Sequence, residues 1–169
     1  MIIRKETKQD FDQIYNLVKT AFQTARVTNG KEQDFVNELR EGANYIPELA
    51  LVAEDESEMV GHIMLTKAYV NDGDTKSEVL YLAPVSVVIE KRKSGIGSAL
   101  IKESFRIAKD MGYTSVFLVG NPDYYHRFGF KTITTFGIKY IHEIPAEFVM
   151  ACELVPNALD KISGTIDCF

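Results

Sequence analysis

Cysteine, histidine and long apolar runs are all scarce in this chain, and each shortage removes a class of protein. Only two cysteines occur in 169 residues, Cys152 and Cys168, and neither lies in a CxxC pair. A disulfide framework is therefore not expected, and both are read as free thiols with structural roles. The three histidines, His62, His126 and His142, form no HExxH or other ligand spacing, so no metal site is expected. No stretch approaches the roughly 20 apolar residues that cross a bilayer. The opening Met1-Ile2-Ile3-Arg4-Lys5-Glu6 lacks the basic-then-apolar order of a secretory signal. These absences predict a cytoplasmic protein without a membrane partner. Positive charge is also in deficit: 19 Lys and Arg stand against 24 Asp and Glu, for a formal net charge of −5. That disfavours nucleic acid as a partner, because sequence-independent binding works by neutralising phosphates.

What is present is ordinary for a globular chain, at 46% apolar and 25% charged residues, and the length suits one domain. Residues 1–5 are short and β-prone. Thr7-Lys8-Gln9-Asp10 has capping-box character and precedes Phe11, Ile14, Tyr15, Val18, Ala21 and Phe22 at helical period. A second helix is predicted over residues 31–40, ended by Gly42. Residues 49–54 and 59–66 read as strands joined by the polar turn 55–58, and Asn71-Asp72-Gly73-Asp74 marks another turn. The β-branched run 79–89 reads as a strand buried on both faces. Pro84 predicts an irregularity within it.

A helix with Leu100, Ile101, Ser104, Phe105, Ala108 and Met111 on one face follows, with Gly112 as its C-terminal cap. Strands are predicted at 114–119, 130–136 and 147–155, and a short helix starts at Asn121-Pro122-Asp123. Hairpin-linked strands followed by one β-loop-α-β unit predict an α/β domain. Its sheet should be mostly antiparallel with one parallel pair.

Chemistry concentrates in Arg92-Lys93-Ser94-Gly95-Ile96-Gly97-Ser98, between the buried strand and the amphipathic helix. Glycines let a backbone bend tightly and approach a ligand closely. Successive amides at a helix N-terminus then face one spot with partial positive charge. A basic loop of this kind inside an acidic chain suits a phosphate or pyrophosphate. A P-loop is excluded, since GxxxxGK[ST] is absent. The dinucleotide fingerprint is excluded too, because Leu100 stands where its third glycine belongs.

Arg92-x-x-Gly95-x-Gly97 after a β-rich run resembles the acyl-CoA pyrophosphate loop of the GNAT superfamily of N-acetyltransferases. Downstream, Tyr125-His126-Arg127-Phe128-Gly129-Phe130 resembles that family's Tyr-x-x-x-Gly-Phe segment. The longer stretch from Gly120 to Phe130 is similar to one branch of predicted acetyltransferases. The resemblance covers residues 1–155 as an N-acetyltransferase domain, leaving 156–169 as a tail that packs back on it. It implies a GNAT-like fold with six to seven strands and about four helices.

The resemblance also implies roles. Acetyl-CoA would be the cosubstrate, with no metal. Amides from Ser94, Gly95, Ile96, Gly97 and Ser98 would hold its pyrophosphate, with Arg92 and Lys93 alongside. The backbone of Val85, Ser86 and Val87 would pair with the pantetheine arm as an added strand does. A bulge there would free an amide to polarise the thioester carbonyl. Asn121 would touch the cofactor. Tyr125 would be the catalytic group that meets the departing thiolate. With a tyrosine pKa near 10 and a thiol near 8.5, full proton transfer is uphill by about 2 kcal/mol, so a hydrogen bond is the role assigned.

The general base is not assigned. Glu54, Glu78 and His62 are candidates by position alone. The implied reaction is transfer of an acetyl group to a primary amine of a small molecule or peptide. The alternative is a non-catalytic acyl-CoA-binding or sensing module on the same fold, which would not need Tyr125. An acidic chain is mildly friendly to a cationic amine. The acceptor itself and the oligomeric state are not encoded, and a homodimer stays open.

Overall fold

The computed structural model describes residues 1–167, so Cys168 lies outside the described residues. The chain divides into two compact units, one of residues 1–66 and 82–108, the other of 67–81 and 109 onward.

In the first unit, β1 (Ile2–Lys5) pairs antiparallel with β2 (Ala50–Asp55), and β2 pairs antiparallel with the first part of β3 (Glu58–Asp72). Glu56 and Ser57 form the two-residue turn between β2 and β3, both with positive φ, the geometry that matches the twist of hairpin strands. Helix α1 (Phe11–Phe22) starts after a short 3-10 turn. There the Asp10 carboxylate accepts from the Thr7 amide at 2.7 Å. Arg4 grips the same carboxylate at 2.8 and 2.9 Å. Helix α2 is Glu32–Glu41.

Ile14 and Val18 of α1, Val36 of α2, and Ala50, Val52, Met59 and Met64 of the strands form one buried cluster. The register places Val52 opposite His62 and Ala50 opposite Met64. The same face of the strands therefore carries His62 and the apolar seat of α1 and α2. Helix α3 (Ile96–Asp110) buries Ile96, Leu100, Ile101, Ser104 and Ala108. As expected, its end is closed by Gly112, at φ +93°, whose amide bonds the Lys109 carbonyl at 2.9 Å.

In the second unit, the outer arms of β3 and β4 (Thr75–Val87) form a hairpin whose turn contains Gly73. Leu80 and Tyr81 of β4 pair in parallel with Val116 and Phe117 of β5 (Ser115–Val119). Strand β5 pairs antiparallel with β8 (Val149–Glu153), which pairs antiparallel with β6 (Lys131–Thr132). On the other edge, Tyr69, Val70 and Asn71 of β3 pair antiparallel with β9 (Gly164–Asp167). Strand β9 also runs parallel to β7 (Ile138–Tyr140). The short helix α4 is Pro122–Tyr125.

The fold is the mixed α/β class expected, with mostly antiparallel pairing, and four departures from the sequence reading stand out. Among the described residues nine strands are present rather than six or seven, and two pairs are parallel rather than one. The two extra strands, β7 and β9, have three and four residues, too few for a period to register. Strand β3 continues from the expected limit at 66 to Asp72, and β4 begins at Thr75 instead of 79. Ala68 and Val70 are buried while Lys67 and Tyr69 are not, so this arm of β3 alternates between its two faces. Strand β4 passes through Pro84 and ends at Val87, although its ladder with β5 stops at Tyr81. The expected strand 130–136 shrinks to β6, because residues 133–136 turn into a 3-10 helix closed by Gly137 at φ +71°. Among the described residues no helix is long and apolar enough to cross a membrane.

Candidate functional site

The expected phosphate-binding loop leaves β4 through a 3-10 turn at Ile89–Lys91 and enters α3. Lys93 and Gly95 both have positive φ, at +61° and +87°. A Cβ on Gly95 would meet nothing within 4 Å, so backbone conformation, not space, requires glycine there. The first hydrogen bond of α3 runs from the Ala99 amide to the Gly95 carbonyl at 3.0 Å. The amides of Ile96, Gly97 and Ser98 therefore precede the helical ladder and are available to an acceptor outside it. The side chains of Lys91, Arg92 and Lys93 are exposed beside them. A pyrophosphate fits this arrangement of amides and cations.

Two side chains of the loop are engaged locally. The Ser94 hydroxyl donates to the Lys91 carbonyl. Arg92 donates to the Ala21 carbonyl at 2.7 Å and to the Thr24 hydroxyl at 2.8 Å, where a cation also suits the C-terminal end of α1. Arg92 thus fastens the loop to α1. In the preceding strand, Val85 and Val87 are partly buried and Ser86 is buried. The Ser86 hydroxyl has no hydrogen-bond partner among the described residues.

Gly61, which sequence reasoning passed over, seats the helix that carries the loop. A Cβ at Gly61 would lie 2.9 Å from Leu100 Cδ1, 3.0 Å from Ile96 Cγ2 and 3.1 Å from the Ser86 carbonyl oxygen. Its absence lets the first turns of α3 rest directly on β3. The only sequence signal was a glycine inside a strand, which marks close approach of another element.

Three carboxylate or imidazole groups were candidates for the base. Glu54 is held by Arg4 at 2.6 and 3.0 Å, and Glu78 is exposed. His62 is buried, with its Nε2 2.9 Å from Glu6 Oε2. Glu6 also accepts from Arg40 at 2.7 and 3.0 Å and from the Tyr45 hydroxyl at 2.8 Å. Burial alone would raise the Glu6 carboxyl, but hydrogen bonds from His62 and Arg40 outweigh it and hold the group down at about 2. A carboxylate held so firmly ionised is a poor proton acceptor. With Glu6 ionised, His62 Nε2 is the donor in their pair. This network ties the end of β1, the last turn of α2, the loop before β2, and β3 to one another. Arg40 completes it by lying 3.8 Å over the Phe11 ring.

The Tyr-x-x-x-Gly-Phe segment lies in the second unit. Asn121 caps α4, accepting from the Asp123 amide at 3.1 Å. Tyr125 ends that helix and packs edge-on against Tyr124 at 5.0 Å and Phe130 at 5.7 Å between ring centroids. Its hydroxyl pKa is raised, first by burial and then by Tyr124. Gly129, at φ +90°, closes the 3-10 turn that follows, and this lets Phe130 enter the core. Cys152, expected as a free thiol, is one. It is buried and donates to the Phe128 carbonyl at 3.4 Å, and burial pushes its thiol up to about 11. Among the described residues no group of three or more His, Cys, Asp or Glu could hold a metal ion.

A family model described as the acetyltransferase (GNAT) domain matches residues 2–133. The uncharacterized N-acetyltransferase YjhQ of Escherichia coli K12 is 37% identical over 102 residues, which are 60% of this chain and 56% of that protein. The alignment therefore spans just over half the length of that relative. The uncharacterized N-acetyltransferase YhbS of the same strain is 26% identical over 168 residues, 99% of this chain and 95% of that one. The crystal structure of Escherichia coli YhbS in complex with CoA superposes with a TM-score of 0.83 at 24% identity, covering 98% of this chain and 87% of that chain. A GNAT family acetyltransferase from Brucella melitensis in complex with acetyl-CoA superposes with a TM-score of 0.79 at 28% identity, covering 99% of this chain and 95% of that chain. With residues 2–133 matched, well over half of the 169, the chain belongs to the GNAT acetyltransferase domain family and is an acyltransferase by class.

Proposed function

We propose that this protein binds acetyl-CoA and transfers its acetyl group to a primary amine of a small molecule or peptide by direct attack on the thioester. The observation that carries the reading is the loop at the start of α3. There two residues of positive φ lead into three amides outside the helical ladder, beside three exposed cations. The CoA and acetyl-CoA complexes of the two structural relatives support the same ligand.

In this reading the amides from Ser94 to Ser98 hold the pyrophosphate. Lys93 and Arg92 contribute charge, Arg92 while anchored to α1. The Val85–Val87 backbone pairs with the pantetheine arm, and Asn121 lies along the cofactor. The substrate supplies its acetyl group as a thioester. A C–N bond to the amine forms as the C–S bond breaks. The Tyr125 hydroxyl donates to the sulfur as negative charge collects there, and the amine loses its surplus proton to solvent. Charge that develops only in the transition state is where a placed donor accelerates most.

Release of free CoA in the presence of amines, aminoglycosides, polyamines and peptide N-termini tests the transfer. Amine-dependent release is expected. Tight CoA binding with no release for any acceptor would favour a sensing module instead. Gly97→Val is expected to abolish CoA affinity, since Gly97 is buried in the first turn of α3 and a branched side chain would hold a phosphate away from the amides. Calorimetry on a variant with native circular dichroism checks this, and unchanged affinity would place the phosphate elsewhere.

A further inference from the structure

We propose that Gly120 is a positioning residue, whose missing side chain sets where the Tyr125 ring stands. The inference rests on the reading above of Tyr125 as donor to the thiolate. Gly120 follows β5 and is buried, its amide bonded to the Phe148 carbonyl at 2.8 Å. Its φ is not in the left-handed region, so the backbone there would accept any residue. The space would not. A Cβ at Gly120 would lie 2.6 Å from Tyr125 Cε2, 3.1 Å from Cδ2 and 3.2 Å from Leu118 Cδ1. The first distance is to a ring carbon and not to the tip of a flexible chain, so the whole ring would have to move.

The phenol oxygen makes no hydrogen bond with the described residues, and nothing polar fixes that end. The Gly120 backbone lies against the ring, and the rings of Tyr124 and Phe130 pack edge-on against it. A hydrogen bond weakens steeply with misplaced distance and angle. A ring pushed off Gly120 would carry its hydroxyl away from the sulfur without changing the hydroxyl's chemistry. Glycine at 120 is thus explained by the donor it places.

CoA itself is the probe, so no acceptor need be known. The thiol of bound CoA is titrated through thiolate absorbance in the wild type, Tyr125→Phe, Gly120→Ala and the double variant. A hydroxyl that donates to the thiolate lowers the thiol pKa, by about one pH unit or more for a charge-assisted bond. The wild-type thiol is expected to titrate lower than in Tyr125→Phe by that amount. Gly120→Ala should lose most of the difference, and the double variant should match Tyr125→Phe. CoA affinity should stay near wild type throughout. Gly120→Ala should lower the melting temperature equally in the wild-type and Tyr125→Phe backgrounds, because the ring it meets is the same in both. A folded Gly120→Ala that titrates like the wild type overturns the proposal while leaving Tyr125 in its role. A Tyr125→Phe that titrates like the wild type removes the role of Tyr125 and this inference with it. If Gly120→Ala does not fold, Phe130→Leu, which removes a ring packed against Tyr125, is read by the same two outcomes.

Discussion

Replacing Glu6 with alanine should lower the unfolding free energy by about 3–5 kcal/mol, the usual cost of removing one partner from a buried ion pair. The reason is what stays behind. Arg40 is almost fully enclosed and His62 entirely so, and both would lose the carboxylate that compensates them. Urea denaturation at neutral pH measures the loss, and an unchanged midpoint would show that the network contributes no net stability. The same carboxylate predicts a pH dependence. Its folded pKa, about 2, lies below the ordinary value of 4.5. Its contribution is therefore complete above about pH 5 and drains away as pH falls toward 2. Wild-type stability should drop across that window, and Glu6→Ala should drop less.

The second large effect should appear in turnover. Tyr125→Phe removes only an oxygen and keeps the ring contacts with Tyr124 and Phe130, so melting temperature should move little. The hydroxyl gains most of its interaction as charge develops on sulfur. Losing a charge-assisted hydrogen bond of about 1.5–3 kcal/mol corresponds to a fall of roughly 10- to 150-fold in kcat. Equal falls in kcat and kcat/KM mark a contact made in the transition state. Burial holds the hydroxyl pKa above its ordinary value, which keeps the donor protonated at every working pH. The tyrosine should therefore add no basic limb to the rate profile below about pH 10. Wild-type turnover in Tyr125→Phe, with chemistry rate-limiting, would reduce Tyr125 to a packing residue.

Much of the fold was readable because its main elements announce themselves. Ile14, Val18 and Ala21 recur at helical spacing, and all three are buried in α1. Leu100, Ile101, Ser104 and Ala108 do the same in α3. Gly95 could be found because a turn of positive φ has few residue solutions. Less visible were features that depend on partners far along the chain. Glu6 looks like any surface carboxylate until Arg40, Tyr45 and His62, 34 to 56 residues away, converge on it. Arg92 was legible as a cation beside the phosphate loop, but not its hydrogen bonds to Ala21 and Thr24, 71 and 68 residues earlier. Neither Gly61 nor Gly120 has a positive φ, and it is neighbours from elsewhere in the chain, Leu100 and Ile96 at Gly61 and Tyr125 at Gly120, that reveal how little room a methyl group would have.

Strand β9 closes part of one edge of β3. It covers Tyr69, Val70 and Asn71 of β3. Two details make the closure specific. Ser163 donates to Asp72 at 2.6 Å, and Gly164, at φ +118°, sits where any side chain would collide with the Asn71 carbonyl. The residues of β9 lie beyond the 2–133 segment shared with the family model. A β-strand left with unpaired amides and carbonyls is a template for another chain. By occupying that edge, β9 leaves Tyr69, Val70 and Asn71 paired within the chain, and it does so with a segment that takes no part in the proposed chemistry.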